Sequence, residues 1–65
     1  MDWKNWIGKK IFVVLNSGQK FTGLVLEVEF MGSIQDNPFY LVSIKDKYGK
    51  FASFSTREIA ELREA

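Results

Sequence analysis

The stretch KDKYGKF, residues 45–51, concentrates the groups best suited to binding chemistry. Lys45, Lys47 and Lys50 surround Tyr48, and DKYG reads as a tight turn between two apolar runs. Ammonium groups beside a flat ring suit phosphate contact combined with base stacking. The plainer alternative is a solvated hairpin tip whose lysines serve solubility. Glu27 and Glu29 alternate on one strand face, a spacing that could pair two carboxylates for acid–base work. The same spacing fits the wet outer face of a bent strand. The chain has no histidine and no cysteine, and it carries no Gly-rich phosphate loop and no HExxH or GxSxG signature. It therefore reads as a non-enzyme with no cofactor, no metal and no small-molecule substrate.

The elements that hold these groups must come from 65 residues, enough for one domain spanning 1–65. Without cysteine or histidine, disulfides and ordinary zinc sites are excluded. The chain is nevertheless 46% hydrophobic and 15% aromatic, and copies of itself would cover part of that surface. A net charge of +1 lacks the bulk signature of a strong nucleic-acid binder, so anion binding must come from local clustering. The opening MDWKNWIGKK carries an early acid and no signal-like apolar run, and no stretch reaches the length of a membrane span. A cytoplasmic location is the expectation.

DWKNWIG predicts a short N-terminal helix. Asp2 would cap it, Trp3, Trp6 and Ile7 would share a face, and Gly8 would stop it. The Trp pair reads as a lid on the core or on a neighbouring copy, with base stacking as the lesser reading. KKIFVVL predicts a strand buried on both faces, flanked rather than functionalised by Lys9 and Lys10. Asn16-Ser17-Gly18 is a turn, with Gly18 free to take positive φ. A long strand follows from about Lys20 to Met31, with Leu24, Leu26, Val28 and Phe30 on one face and Val25, Glu27 and Glu29 on the other. Residues 32–38 read as a loop, with Pro38 leading into the strand FYLVSIK. KFASFS is the fourth strand of an antiparallel meander. TREIAELREA is ambiguous. Ser55 and Glu58 match a capping box and favour a helix, whereas a short turn at 56–58 followed by a final strand, IAELR, would close the sheet.

Gly23 sits inside the long strand, where glycine costs entropy and packs nothing. A strand that long in so small a domain has to bend, and glycine at the bend permits tight coiling and close approach of another strand. The expected fold is mainly β: a small, strongly bent five-stranded antiparallel barrel with a short N-terminal helix.

IFVVLNSGQKFTGLVLEVE resembles the first motif of the Sm and Sm-like (LSm) proteins, in Ile11, Val13, Leu15, Gly18, Gly23, Val25, Val28 and Glu29. GKFASFSTREIAEL stands where the second motif would lie, with Gly49, Phe51, Phe54, Ile59 and Leu62 at its apolar and glycine positions. The resemblance implies an SH3-like (Sm-like) barrel, a turn and short strand at the C-terminus, and a homo-oligomeric ring of about five to seven subunits joined edge to edge. It also implies RNA contacts in two loops. Here the first becomes Glu29-Phe30-Met31-Gly32-Ser33, with glutamate for aspartate and Met31 at the stacking position. The second becomes Ser55-Thr56, with Arg57 one residue beyond the family's Arg-Gly pair. The Lys-x-His signature of the bacterial branch is absent. The expected function is a ring binding single-stranded RNA with low sequence selectivity through Phe30, Met31, Thr56, Arg57, Lys45, Lys47 and Tyr48. The alternative is an assembly or protein-interaction module without RNA binding, its contacts made by the Trp pair, Phe39 and Tyr40.

Overall fold

A computed structural model describes residues 3–65. Five strands make one antiparallel sheet: β1 Lys10–Leu15, β2 Lys20–Ile34, β3 Asn37–Lys45, β4 Phe51–Ser55 and β5 Ile59–Glu64. A single 3-10 turn, Trp3–Trp6, precedes β1 in place of a longer helix. It is tied down where the Gly8 N–H donates to the Val25 carbonyl at 2.9 Å, with Gly8 at φ +86°. The expected cap, Asp2, lies outside the described residues.

The order across the sheet is β4-β3-β2-β1-β5, so the strands adjacent in sequence at the C-terminus occupy opposite edges. Four strand spacings of a flat sheet span about 19 Å. The four residue steps from Ser55 to Ile59 reach at most about 14 Å. The sheet must therefore curl to let the 3-10 turn Thr56–Glu58 bridge its edges. It does not close into the barrel expected from the sequence, because no ladder joins β4 to β5. Where the edges come nearest, the turn consumes the available groups itself. The Ser55 N–H donates to Glu58 Oε2 at 2.9 Å and the Arg57 N–H to Ser55 Oγ at 3.2 Å, a complete capping box. After that turn the chain is strand, not helix.

β2 departs most from the sequence pattern. Its register against β3 shifts twice, between Val25 and Glu27 and between Phe30 and Gly32, leaving Leu26 and Met31 as the extra residues. Each bulge bends the strand and flips the alternation. The inward positions are thus Gly23 and Val25 before the first bulge and Val28 after it, while Leu24, Leu26 and Phe30 are exposed. Of the expected shared face only Val28 and Phe30 stay together, in unbroken register, while Leu24 lies on the opposite face and Leu26 is the extra residue of the first bulge.

The expected loop at 32–38 is also replaced. Ser33 pairs with Pro38 and Ile34 with Asn37, around a two-residue turn in which Gln35 and Asp36 have φ 51° and 64°. Two left-handed residues in succession make a hairpin turn matched to strand twist. Pro38 is tolerated because this part of β3 extends past β4, whose pairing begins at Leu41–Ser55.

The concave side of the curl holds the core: Ile11, Val13 and Leu15 from β1, Val25 and Val28 from β2, Val42 and Ile44 from β3, and Phe54 from β4. Phe21 stacks on Phe54 at 6.0 Å between ring centroids, and Trp3 and Trp6 cover one side of the cluster.

Candidate nucleic-acid interface

The residues singled out in the sequence fall into two groups at opposite ends of β3. The first gathers where the β2–β3 ribbon runs past the sheet. Phe30 lies opposite Tyr40, their rings edge to face at 5.7 Å. Phe30 is 58% exposed, and Met31, the extra residue of the second bulge, is 52% exposed. The backbone N–H of Tyr40 donates to Thr56 Oγ1 at 3.1 Å, which anchors the C-terminal 3-10 turn beside the ribbon. Arg57 lies over the Phe39 ring at 5.4 Å. Phe39, Thr56 and Arg57 line, with Trp3, a groove of about 390 Å³ that Phe30, Met31 and Tyr40 do not border. This end offers apolar and aromatic surface with one cation.

The second group is the β3–β4 hairpin. Asp46 shapes its turn: one carboxylate oxygen, Oδ1, accepts from the Tyr48 N–H at 2.8 Å and the Lys50 N–H at 2.9 Å. Its N–H and carbonyl close the loop onto Lys50 and Gly49. Gly49 takes φ +82°, a conformation that favours glycine. Among the described residues no ion pair joins this carboxylate to a lysine, and its single negative charge stands beside Lys45, Lys47 and Lys50. Lys47 Nζ sits 5.1 Å from the Tyr48 ring centroid and Lys45 Nζ 5.8 Å from that of Phe51. Tyr48 is 76% exposed and Phe51 71%, so the rings remain open to a stacking partner.

Thus Phe30 joins Tyr40, Thr56 and Arg57 at one end, and Lys45, Lys47 and Tyr48 cluster at the other. The five residue steps along β3 from Tyr40 to Lys45 separate them by roughly 17 Å. Lys10, Lys20 and Phe51 were not among the residues expected to bind, yet they border the cavities around this hairpin. For Lys10 and Lys20 the only sequence signal was a position at the start of a strand, and the sheet order alone makes them neighbours of residue 46. Gly18 and Gly23 serve the backbone. Gly18 has φ +91°, and a Cβ on Gly23 would lie 2.7 Å from the Lys45 carbonyl oxygen.

Among the described residues no helix is long and apolar enough to cross a membrane, and no cluster of three or more His, Cys, Asp or Glu could hold a metal ion. Comparison of the chain with protein-family models, with curated proteins and with solved structures finds no match.

Proposed function

We propose that this chain is a subunit of a closed homo-oligomer of the Sm-like type, and that the assembly binds single-stranded RNA weakly and with low sequence selectivity. The observation that carries the reading is the pair of unpartnered edges. Backbone groups point alternately to either side of a strand. The Asp46 N–H bonds to the Lys50 carbonyl, so by alternation Ala52 and Phe54 face β3, while Phe51 and Ser53 face outward. On β5 the Ala65 N–H bonds to the Lys10 carbonyl, which leaves Leu62 and Glu64 facing outward. Each copy thus offers two strand edges on opposite sides of a curled sheet. Pairing β4 of one copy with β5 of the next satisfies both and generates a ring of about five to seven subunits. Phe30, Met31, Thr56 and Arg57 would meet bases, and Lys45, Lys47 and Tyr48 would meet the strand at the other end.

Light scattering after gel filtration, at low and high salt, tests the assembly. A salt-resistant species of several copies supports it, and a monomer sinks it. Filter binding of oligo-U tests the ligand, with affinity falling steeply as salt rises. The second reading, an assembly or protein-contact module without RNA, is favoured by the net charge of +1 and by Arg57 already lying against Phe39. Absence of oligo-U binding at low salt would select it.

A further inference from the structure

The near-neutral net charge conceals a segregated distribution. Three adjoining cavities of about 260, 430 and 290 Å³ surround the β3–β4 hairpin, and Lys10, Lys20, Lys45, Lys47 and Lys50 line them. Asp46 is the one acid among the lining residues, and its Oδ1 is held by two backbone N–H groups. Among the described residues none of these five lysines is ion-paired, whereas Lys9 and Arg63 are engaged by Glu64 and Glu61. Five ammonium groups around a single carboxylate leave a local excess of positive charge, and an arriving anion relieves the repulsion among them.

The sheet register explains the gathering. Lys10 pairs with Leu24, and Leu24 with Lys45, which pairs in turn with Phe51. These four residues form one row across β1 to β4 on the outer face. Lys10 and Lys45 therefore stand two strand spacings apart, about 10 Å, with Leu24 between them. The close approach at Gly23, whose neighbour Leu24 sits in this row, brings β3 down against β2 and forms the floor of the groove. At its rim Tyr48 and Phe51 present open rings, each with an ammonium nearby.

We propose that this groove is the principal nucleic-acid site: a track over the outer face at Lys10 and Lys45, continuing around the hairpin end of the sheet past Lys20 and Lys50, that takes the sugar–phosphate backbone of a single strand. Lys10, Lys45 and Lys47 contact phosphates, Lys20 and Lys50 extend the field along the strand, and Tyr48 and Phe51 stack bases. Charge complementarity selects a polyanion, and exposed rings beside the cations select one with planar groups. The site deepens the RNA reading above and rests on it, but it moves the main contacts away from Phe30 and Met31.

Fluorescence anisotropy of a labelled oligo-U over a range of salt tests the track, using the full chain in its native assembly. Lys10→Gln and Lys45→Gln should each weaken binding and lower the slope of log K against log salt by about 0.7. Tyr48→Ala should weaken binding roughly 5- to 100-fold. Lys4→Gln, the same charge change away from the groove, should leave the slope unaltered. The substituted side chains are exposed, and an unchanged circular dichroism spectrum and melting temperature verify the fold. Equal losses from Lys4→Gln and Lys10→Gln would overturn the track in favour of a diffuse field. So would an oligo-glutamate peptide that competes as well as unlabelled oligo-U. Binding by the parent chain that Lys10→Gln, Lys45→Gln and Tyr48→Ala all leave intact would overturn the track alone. No binding by the parent chain at low salt would overturn the RNA reading itself and the track with it.

Discussion

Gly23 and Lys45 approach so closely that a Cβ on Gly23 would lie 2.7 Å from the Lys45 carbonyl oxygen and 3.3 Å from Ile44 Cδ1. The obstacle is backbone, which cannot swing aside as a side-chain terminus can. Gly23→Ala should therefore destabilise the fold by about 1–3 kcal/mol, a large share of the roughly 3–10 kcal/mol expected for a chain of this length. Urea denaturation measures it. A midpoint equal to that of the parent would mean that β3 can retreat from β2 without loss.

The turn of the β2–β3 hairpin should respond in the opposite direction. Gln35 and Asp36 both hold left-handed φ values, a conformation unfavourable for residues with a Cβ. Replacing the pair by Asn-Gly, the sequence best suited to this turn, should raise stability by about 0.5–1 kcal/mol. Thermal melting followed by circular dichroism would register a higher midpoint. A lower one would contradict the turn geometry.

The capping box gives a third test. Ser55→Ala removes the oxygen that accepts the Arg57 N–H and should cost about 1 kcal/mol. Glu58→Ala releases the Ser55 N–H, returning a donor to the β4 edge. It should therefore both destabilise the monomer and increase edge-driven association, read as a concentration-dependent mass in light scattering. Lower stability with no change in association would separate the turn from the edge.

The backbone N–H of Ser53 points away from β3, so Ser53→Pro deletes an outward N–H without removing a ladder bond. The exposed hydrogen bond between the Ser43 and Ser53 hydroxyls, 3.0 Å, is lost with it. The folded monomer should survive with an unchanged far-ultraviolet spectrum while the proposed assembly falls to the 7.5 kDa single chain. An assembly of unaltered mass would show that copies associate by another surface.

How much of this was legible in the sequence depends on whether the information was local. The alternation of Ile11, Val13 and Leu15, the turn at Gly18 and the need for a bend at Gly23 could each be read from a few residues. The faces of β2 could not, because Leu26 and Met31 look like ordinary apolar positions until β3 is laid beside them. The segment GSIQDNP carries the composition of a loop. It forms strand and turn because Pro38 lies on a stretch of β3 that β4 does not reach. The tip cations Lys45 and Lys47 were visible as a motif. Lys10 and Lys20 were not, since only the antiparallel register carries them to the same groove across a sequence gap of more than 20 residues.

The turn Thr56–Glu58 is three residues long and is held at both ends, by the capping box and by Thr56 on the Tyr40 backbone. In the proposed ring it is the corner of a polygon. β4 and β5 are the two sides meeting at each vertex, and the angle between them decides how many copies return to the start. A rotation too small to disturb the core of one subunit is repeated at every corner and accumulates around the ring. Copy number would then be set less by the strands that touch than by the short rigid bend between them. Changes at Thr56 or Glu58 would yield rings of a different size before they yielded chains that do not fold.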